Sequence, residues 1–299
     1  MDIQILALKF FDYLSYMRGH SKATIRRYRQ VINRFSALTQ VSKVEDVTSD
    51  TVREFFLCGR TKYAWKSATF ILYHISLKVF FRWCIGQKCI EKNPVDDIEV
   101  PKLEKHLPSR LTKQEASKLL EATYNYPYDY KYLRARNHAV FSMFMFAGLR
   151  KAELLKLKYT SVDLENMSIF VSQGKGNKDR IVPISLTLAQ SLKRYLEERR
   201  RLNKTCPEFF ASLNRNLGFT DTGLKRLVIK MRKASGIRFT IHELRHTFAT
   251  LMLEGGCDIY SLSRMMGHSD IKTTTIYLSA STEHLRSQIT KHPLNDMSC

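Results

Sequence analysis

The 299-residue sequence has few cysteines, and their spacing gives no sign of a metal site or a disulfide framework. Six cysteines are scattered along the chain, and no two are separated by the two residues typical of a zinc knuckle or a redox motif. This pattern is typical of a reduced, cytosolic protein. We expect no metal and no other cofactor.

Long apolar runs and acidic residues are also scarce. No uninterrupted apolar run approaches the roughly 18 residues needed to span a bilayer. The first ten residues include Asp2 and Lys9 and lack the cleavage site of a secretory signal. We therefore expect no membrane segment.

Positive charge, in contrast, is abundant. Lys and Arg number 49 against 28 Asp and Glu, which gives a net charge of +21. Such an excess favours a polyanionic partner, with nucleic acid first and an anionic membrane surface second. An enzyme that is merely basic remains the alternative, because charge bears on partners and not on fold.

Residues 1–92 carry apolar side chains at helical spacing and predict four helices. The second helix, which Ser21 can cap, contains five basic residues and no acidic residue as far as Phe35. We expect its cationic face to contact phosphates, the alternative being a solvated charged face. The basic residues are Lys22, Arg26, Arg27, Arg29 and Arg34.

Residues 93–110 predict a linker, because Pro94, Pro101 and Pro108 prevent a continuous helix. Fully extended, a segment of this length would reach roughly 60 Å. That reach is enough to pass from one side of a DNA duplex to the other.

Residues 111–299 predict a second domain that is mostly helical with a small antiparallel sheet. The runs 167–173 and 180–184 flank a glycine-rich basic tip and indicate a β-hairpin. An apolar helix is expected over 139–146. The predicted fold class is therefore mainly α with a small antiparallel β-sheet, in two domains.

His242 and Arg245 are the first candidates for chemistry. They lie three residues apart in a helix that Thr240 and Glu243 are expected to begin with a capping box, so both side chains share one face of its first turn. The first turn of a helix attracts anions. The pattern is weak alone, because such pairs also serve as ordinary ion-pair partners.

Four other positions strengthen the case. Arg150 follows a helix break at Gly148, with Glu153 placed three residues on to orient it; Lys175 lies at the hairpin tip; His268 follows Gly267; and Tyr277 comes nine residues later. Arginines bind phosphate oxygens, histidines move protons, and a tyrosine can form a covalent ester. The set suits metal-free chemistry at a phosphodiester.

These segments resemble the catalytic motifs of the tyrosine recombinases, and most closely those of the Xer and mobile-element integrase branch. The matching segments are 147–154, 174–180, 242–250 and 266–270 with Tyr277. The N-terminal part also resembles that family's core-binding domain. The resemblance covers nearly the whole chain and implies a helical core-binding domain followed by an α+β catalytic domain.

By this resemblance, Tyr277 attacks the scissile phosphate and forms a 3′-phosphotyrosyl link with a free 5′-hydroxyl. Arg150 and Arg245 would clamp the phosphate, and Lys175 would protonate the leaving oxygen. Lys178 is a rival for that last role and otherwise a DNA contact.

The resemblance assigns supporting roles to the remaining residues. His242 would handle the proton of Tyr277, and His268 would donate a hydrogen bond to the phosphate. Glu153 would support the site without contacting the DNA phosphate, and Arg180 would contact DNA. The histidine at position 246 is expected to be structural or at the surface.

The implied function is site-specific recombination of DNA, by integration and excision or by resolution. Xer-type resolution of chromosome or plasmid dimers is the alternative role. A non-catalytic DNA-binding protein on the same scaffold and a nicking enzyme of the type IB topoisomerase kind also remain open. The partners expected are double-stranded recombination sites and further copies of the chain, without a membrane.

We predict a monomer in solution and a tetramer on two synapsed DNA sites. Gel filtration with light scattering should give a monomer mass without DNA and a four-subunit complex with it. A stable tetramer in the absence of DNA would contradict this prediction.

Overall fold

The computed structural model describes residues 1–103, 108–172, 179–268 and 270–277. It divides the chain into two compact units, Met1–Lys105 and His106–Cys299. The described residues are mainly helical, with one three-stranded antiparallel sheet in the second unit. The predicted fold class is confirmed.

The first unit contains the four predicted helices around a core rich in phenylalanine. Phe10, Phe35, Phe55, Phe80 and Phe81 are all buried in it. Serine and threonine caps at the start of the second and third helices accept hydrogen bonds from free backbone N–H groups. The helices are α1 (Ile3–Asp12, continued by a π-helical turn), α2 (Lys22–Thr39), α3 (Ser49–Thr61) and α4 (Ser67–Gly86).

The basic residues of α2 form two stripes and not the single face that we predicted. Lys22, Arg26 and Arg29 follow one another at spacings of four and three, so they share one exposed face. Arg27 and Arg34 lie seven residues apart on another face. The Arg34 guanidinium lies 4.3 Å from the centroid of the Tyr63 ring, so aromatic packing holds part of the second stripe.

The start of the expected linker packs against the first unit. The Asn93 side chain donates to the carbonyl of Lys78 at 3.0 Å and accepts from the backbone N–H of Val95 at 3.1 Å. Val95 and Ile98 are buried in the core. Residues 93–98 of the expected linker are therefore not extended, because the asparagine closes a turn that the prolines alone do not reveal.

Helix α4 is the one helix in the described part of the chain that is long and apolar enough to cross a membrane, judged by length and composition alone. Core helices meet the same criteria. Phe70, Leu77, Phe80 and Cys84 of this helix are buried in the first unit. Their burial indicates a core helix.

The second unit surrounds its core with helices and the small sheet. The helices are α5 (Lys113–Asn125), α6 (Lys131–Ala147), α7 (Lys151–Lys156), α8 (Leu186–Arg201), α9 (Asp221–Ser235), α10 (Ile241–Glu254), α11 (Ile259–Met266) and α12 (Lys272–Thr275). The predicted capping boxes at Thr112 and Thr240 are both present. They explain why the starts of α5 and α10 were predictable.

The predicted hairpin is present as two antiparallel strands, β2 (Ser168–Val171) and β3 (Arg180–Pro183). A short strand that was not predicted, β1 (Val162–Asp163), pairs with β2 and completes the sheet. Ile169 and Val182 face each other across the hairpin and point into the core. The tip with Lys175 and Lys178 lies outside the described residues.

Helix α6 begins eight residues before the predicted start at Ala139. Its first two turns contain polar residues, and two of these, Arg136 and Asn137, are buried in the fold. The Arg136 guanidinium bonds the side chain of Asn137 and the carbonyl of Ala211, and it lies over the Phe219 ring. Tertiary contacts of this kind leave no apolar periodicity to read.

Gly148 ends α6 in the left-handed conformation, with φ +58°. A Cβ at this position would lie 2.2 Å from Cδ1 of Phe248. We predict that Gly148→Ala lowers the free energy of unfolding by about 3 kcal/mol, from backbone strain and overpacking together.

Gly236→Ala is the matched control. Gly236 has φ +72° with no atom near the added Cβ, so its loss should be only about 1 kcal/mol. Urea denaturation of both variants measures the difference. Equal losses would contradict a steric role for Phe248.

Candidate active site

Helix α10 places His242, Arg245 and His246 within its first two turns. Thr240 and Glu243 close the capping box that begins the helix, which fixes where the first turn starts. As predicted, His242 and Arg245 share a face. Residue 246 lies four positions after His242, so it also projects from that side.

Arg245 is buried, with 3% of its surface exposed. Its guanidinium donates hydrogen bonds to the carbonyls of Gly148 and Met266. Burial and then the nearby charge of Arg150 lower its pKa to about 10. The side chain therefore stays positively charged at neutral pH and is held by neutral oxygens.

Arg150 is oriented by Glu153, as the spacing predicted. Its Nη1 atom lies 2.7 Å from Oε1 of Glu153, and its backbone N–H donates to Oε2 at 2.7 Å. Its Nη2 atom donates to the carbonyl of Gly267 at 2.9 Å. The glutamate thus fixes both the start of α7 and the direction of the guanidinium.

Arg180, predicted as a DNA contact, lies against the same glutamate. Nη1 and Nη2 bond the two carboxylate oxygens of Glu153 at 2.9 and 2.8 Å, and Nε donates to the carbonyl of Met265 at 2.7 Å. Only 7% of the side chain is exposed. This geometry contradicts an exposed DNA contact: the residue positions Glu153 from the first position of β3.

Glu153 therefore lies between two guanidinium groups. Burial by itself would raise the pKa of its carboxyl, but the hydrogen bonds and charges of Arg180 and Arg150 outweigh it and lower the pKa to about 2. The carboxylate is ionised throughout the physiological range.

The end of α11 supplies the remaining acceptors. The carbonyls of Met265, Met266 and Gly267 accept from Arg180, Arg245 and Arg150 respectively. The last carbonyls of a helix have no partner within it and carry partial negative charge. The Glu153 carboxylate and the carbonyl end of α11 thus hold three positively charged arginine side chains close together.

His268 bridges Arg245 and the segment that carries the tyrosine. Its Nε2 atom lies 3.3 Å from Nη2 of Arg245, and its Nδ1 atom lies 2.8 Å from Oγ1 of Thr274. Arginine can only donate, so Nε2 accepts and Nδ1 carries the hydrogen. Burial and then Arg245 lower the pKa of the ring to about 4, so it is neutral at pH 7.

Tyr277 is buried among Phe248, Leu262 and Met266, with 2% of its surface exposed. Burial raises the pKa of its phenol, while the charges of Arg245 and Arg150 act in the opposite direction. The hydroxyl lies 2.8 Å from Nδ1 of the imidazole at position 246. The structure thus joins Tyr277 by a hydrogen bond to the helix that carries Arg245.

His246 had been expected to be structural or at the surface, and it instead contacts the tyrosine hydroxyl. Its ring centroid lies 4.3 Å from that of His242. Burial, then His242 and Arg245, lower its pKa to about 4. The signal available in the sequence was its helical spacing from His242, but that spacing does not reveal a partner 31 residues away.

An open cleft of about 710 Å³ lies beside the arginines. Arg150, His242 and Arg245 line one side, and Leu224 and Val228 of α9 line another. His242 is exposed in this cleft, and burial and then Arg245 lower its pKa. Of the six predicted catalytic residues, five are in this unit of the described structure, while Lys175 lies outside the described residues.

Comparison with known families bears on both units. Residues 109–284 match the family model described as the phage integrase family, and residues 8–88 match its N-terminal SAM-like domain. The chain belongs to the phage integrase family. It is a site-specific tyrosine recombinase, an enzyme that cleaves and rejoins DNA, which confirms the resemblance read from the motifs.

The recombinase is similar along its length to proteins named for Xer. It is 33% identical to tyrosine recombinase XerA of Pyrococcus horikoshii over 96% of this chain and 93% of the relative. It is 31% identical to XerC of Thermodesulfovibrio yellowstonii over 98% of each.

Solved structures share the fold. The recombinase superimposes on XerH bound to its palindromic difH substrate with a TM-score of 0.74, at 24% identity over 92% of this chain and 81% of that one. A lambda integrase dimer on a COC′ core site gives the same TM-score at 21% identity, over 93% and 95% of the two chains.

The depressed pKa of Glu153 predicts a pH-dependent contribution to stability. A carboxyl with an ordinary pKa of 4.5 when unfolded and about 2 when folded stabilises the fold above pH 4.5, and this stabilisation is lost as the pH falls towards 2. We expect Glu153→Gln to cost on the order of 3 kcal/mol at pH 7 and clearly less at pH 3.

Glu198→Gln is the control, because Glu198 pairs with the exposed Arg201. It should cost below about 1 kcal/mol at either pH. Chemical denaturation at the two pH values gives both differences. A Glu153→Gln loss that does not change with pH would contradict the ion-pair explanation.

Proposed function

We propose that this recombinase cuts one DNA strand by attack of the Tyr277 hydroxyl on the scissile phosphate. The products are a 3′-phosphotyrosyl link and a free 5′-hydroxyl, and rejoining is the reverse reaction. The observation that carries the proposal is that the buried Tyr277 hydroxyl lies 2.8 Å from Nδ1 of His246, the residue that directly follows the buried Arg245 on α10. The covalent ester conserves the phosphodiester bond energy, so rejoining requires no ATP.

Arg150 and Arg245 clamp the phosphate in this proposal. Their guanidinium groups now donate to neutral carbonyls of Gly148, Met266 and Gly267. Hydrogen bonds from a guanidinium to a phosphate are both charge-assisted and bidentate, and hence stronger. The arginines can therefore turn to a phosphate and stabilise the charge that gathers in the transition state.

The expected donation from His268 to the phosphate requires a change at its ring. Nε2 is at present an acceptor for Arg245. When that guanidinium turns to the phosphate, Nε2 is released and can carry the hydrogen in the other tautomer. Thr274 can accommodate the change, because its hydroxyl both donates and accepts.

Two roles rest on the resemblance alone. Lys175 acts as the general acid that protonates the leaving 5′ oxygen, with Lys178 as the rival. His242 faces the cleft beside Arg150 and Arg245 and assists in handling protons there.

The partner proposed is a pair of double-stranded recombination sites. The exposed stripe of Lys22, Arg26 and Arg29 on α2 suits contacts to the phosphate backbone. Relatives of the same fold were solved on their DNA substrates. We propose a monomer that assembles as a tetramer on two sites, in the cytoplasm or nucleoid.

Xer-type resolution is the biological role that the relatives favour. XerA and XerC align over more than nine-tenths of both chains. Integration and excision of a mobile element use the same chemistry. Recombination between direct repeats recovered from the DNA around the gene distinguishes the two roles.

We predict that Tyr277→Phe abolishes the covalent protein–DNA adduct and leaves DNA affinity within about twofold, because binding depends mainly on phosphate contacts. The substrate is a suicide duplex, nicked near the cut, whose site is selected from random duplexes by binding to the wild-type protein. Gel electrophoresis under denaturing conditions detects the adduct.

Tyr260→Phe is the matched control, since Tyr260 is an exposed tyrosine on α11. It should form the adduct at the wild-type rate. Adduct formation by Tyr277→Phe would show that another residue is the nucleophile.

A further inference from the structure

We infer that His246 is the residue that orients the Tyr277 hydroxyl and accepts its proton as the phenol oxygen attacks phosphorus. This inference rests on the proposed role of Tyr277 as the nucleophile. It assigns the proton to a histidine other than His242, the one suggested by the sequence motif.

The geometry at the hydroxyl carries the inference. Nδ1 of His246 lies 2.8 Å from the phenol oxygen, which is hydrogen-bonding distance. The ring centroid of His246 lies 5.5 Å from that of Tyr277 and 4.3 Å from that of His242. The contact to the phenol oxygen is therefore made by the imidazole at 246.

The charge around the ring determines that the imidazole facing the hydroxyl is neutral. The His246 ring is partly buried, and the charges of His242 and Arg245 act on it. All three effects disfavour its protonated form and lower its pKa. A neutral ring has one donor nitrogen and one acceptor. We propose the tautomer in which Nε2 carries the hydrogen and Nδ1 accepts from the phenol. Only in this tautomer is Nδ1 free to take up the phenol proton.

Both partners of the hydrogen bond belong to packed parts of the second unit. His246 lies in the interior of α10, where its carbonyl accepts from Oγ1 of Thr250 at 3.0 Å. Tyr277 packs against Phe248, Leu262 and Met266. This packing favours a pre-organised nucleophile.

The proposed step balances as follows. The phenol O–H bond breaks and its proton passes to Nδ1 of His246, while the phenol oxygen forms a bond to phosphorus. The bond from phosphorus to the 5′ oxygen breaks, and the departing oxygen keeps the electron pair and takes up a proton from the general acid of the site. The imidazolium returns its proton to the phenol oxygen on rejoining.

A bound phosphate makes this transfer easier. The positive charge of Arg245 disfavours an imidazolium at position 246. A phosphate between the guanidinium groups of Arg150 and Arg245 offsets that charge. The histidine thus becomes a better base when the scissile group is in place.

The first test compares His246→Asn and His246→Gln with wild type in single-turnover cleavage of the selected duplex. An asparagine oxygen can occupy the place of Nδ1 and accept the hydrogen bond, but it cannot hold the proton. We expect both variants to cleave about 10²- to 10⁴-fold more slowly, with unchanged DNA affinity and thermal midpoint. Cleavage by His246→Asn at the wild-type rate would reduce the role to orientation and overturn proton acceptance.

A duplex with sulfur in place of the 5′ bridging oxygen identifies the side of the reaction affected. A thiolate leaves without protonation, so a defect at the nucleophile persists on this substrate and a defect at the leaving group disappears. We expect the loss in the His246 variants to persist. Its disappearance would place His246 at the leaving oxygen and overturn the inference.

Nitrogen-15 NMR of the wild-type imidazoles gives a test that needs no functional variant. The His246 resonances, assigned by their absence from a variant spectrum, should show Nδ1 without hydrogen and Nε2 with it. A hydrogen on Nδ1 would contradict the inference. Failure of Tyr277 as the nucleophile is separate, because it appears as adduct formation by Tyr277→Phe.

Discussion

The candidate active site depends on holding three guanidinium groups close together. Glu153 and the carbonyl end of α11 make this possible, the first with a full negative charge between Arg150 and Arg180 and the second with the partial charges of a helix terminus. Without them, mutual repulsion would separate Arg150 from Arg245. Contacts within the protein therefore hold the three guanidinium groups close together.

Local packing also explains the protonation state of Tyr277, the proposed nucleophile. Tyr277 is packed into apolar side chains and bonded to His246, so its phenol remains protonated and shielded from water. Burial thus favours the neutral phenol over the phenolate.

Local signals in the sequence revealed much of this arrangement, and long-range contacts account for what they did not reveal. The capping boxes at Thr112 and Thr240 depend on residues three apart, so the starts of α5 and α10 were predictable. The pairing of Arg180 with Glu153 spans 27 residues. The sequence does not distinguish a buried arginine from a solvated one. Arg180 was therefore interpreted as a DNA contact.

The position of Arg180 has a consequence for how the enzyme tolerates change. It is the first residue of β3, directly after the hairpin tip, and it is anchored to the carboxylate that also aims Arg150. The strand therefore begins at a fixed point that it shares with the proposed phosphate clamp. A change of length before β3 would meet this anchor first, and the orientation of Arg150 would be protected from it.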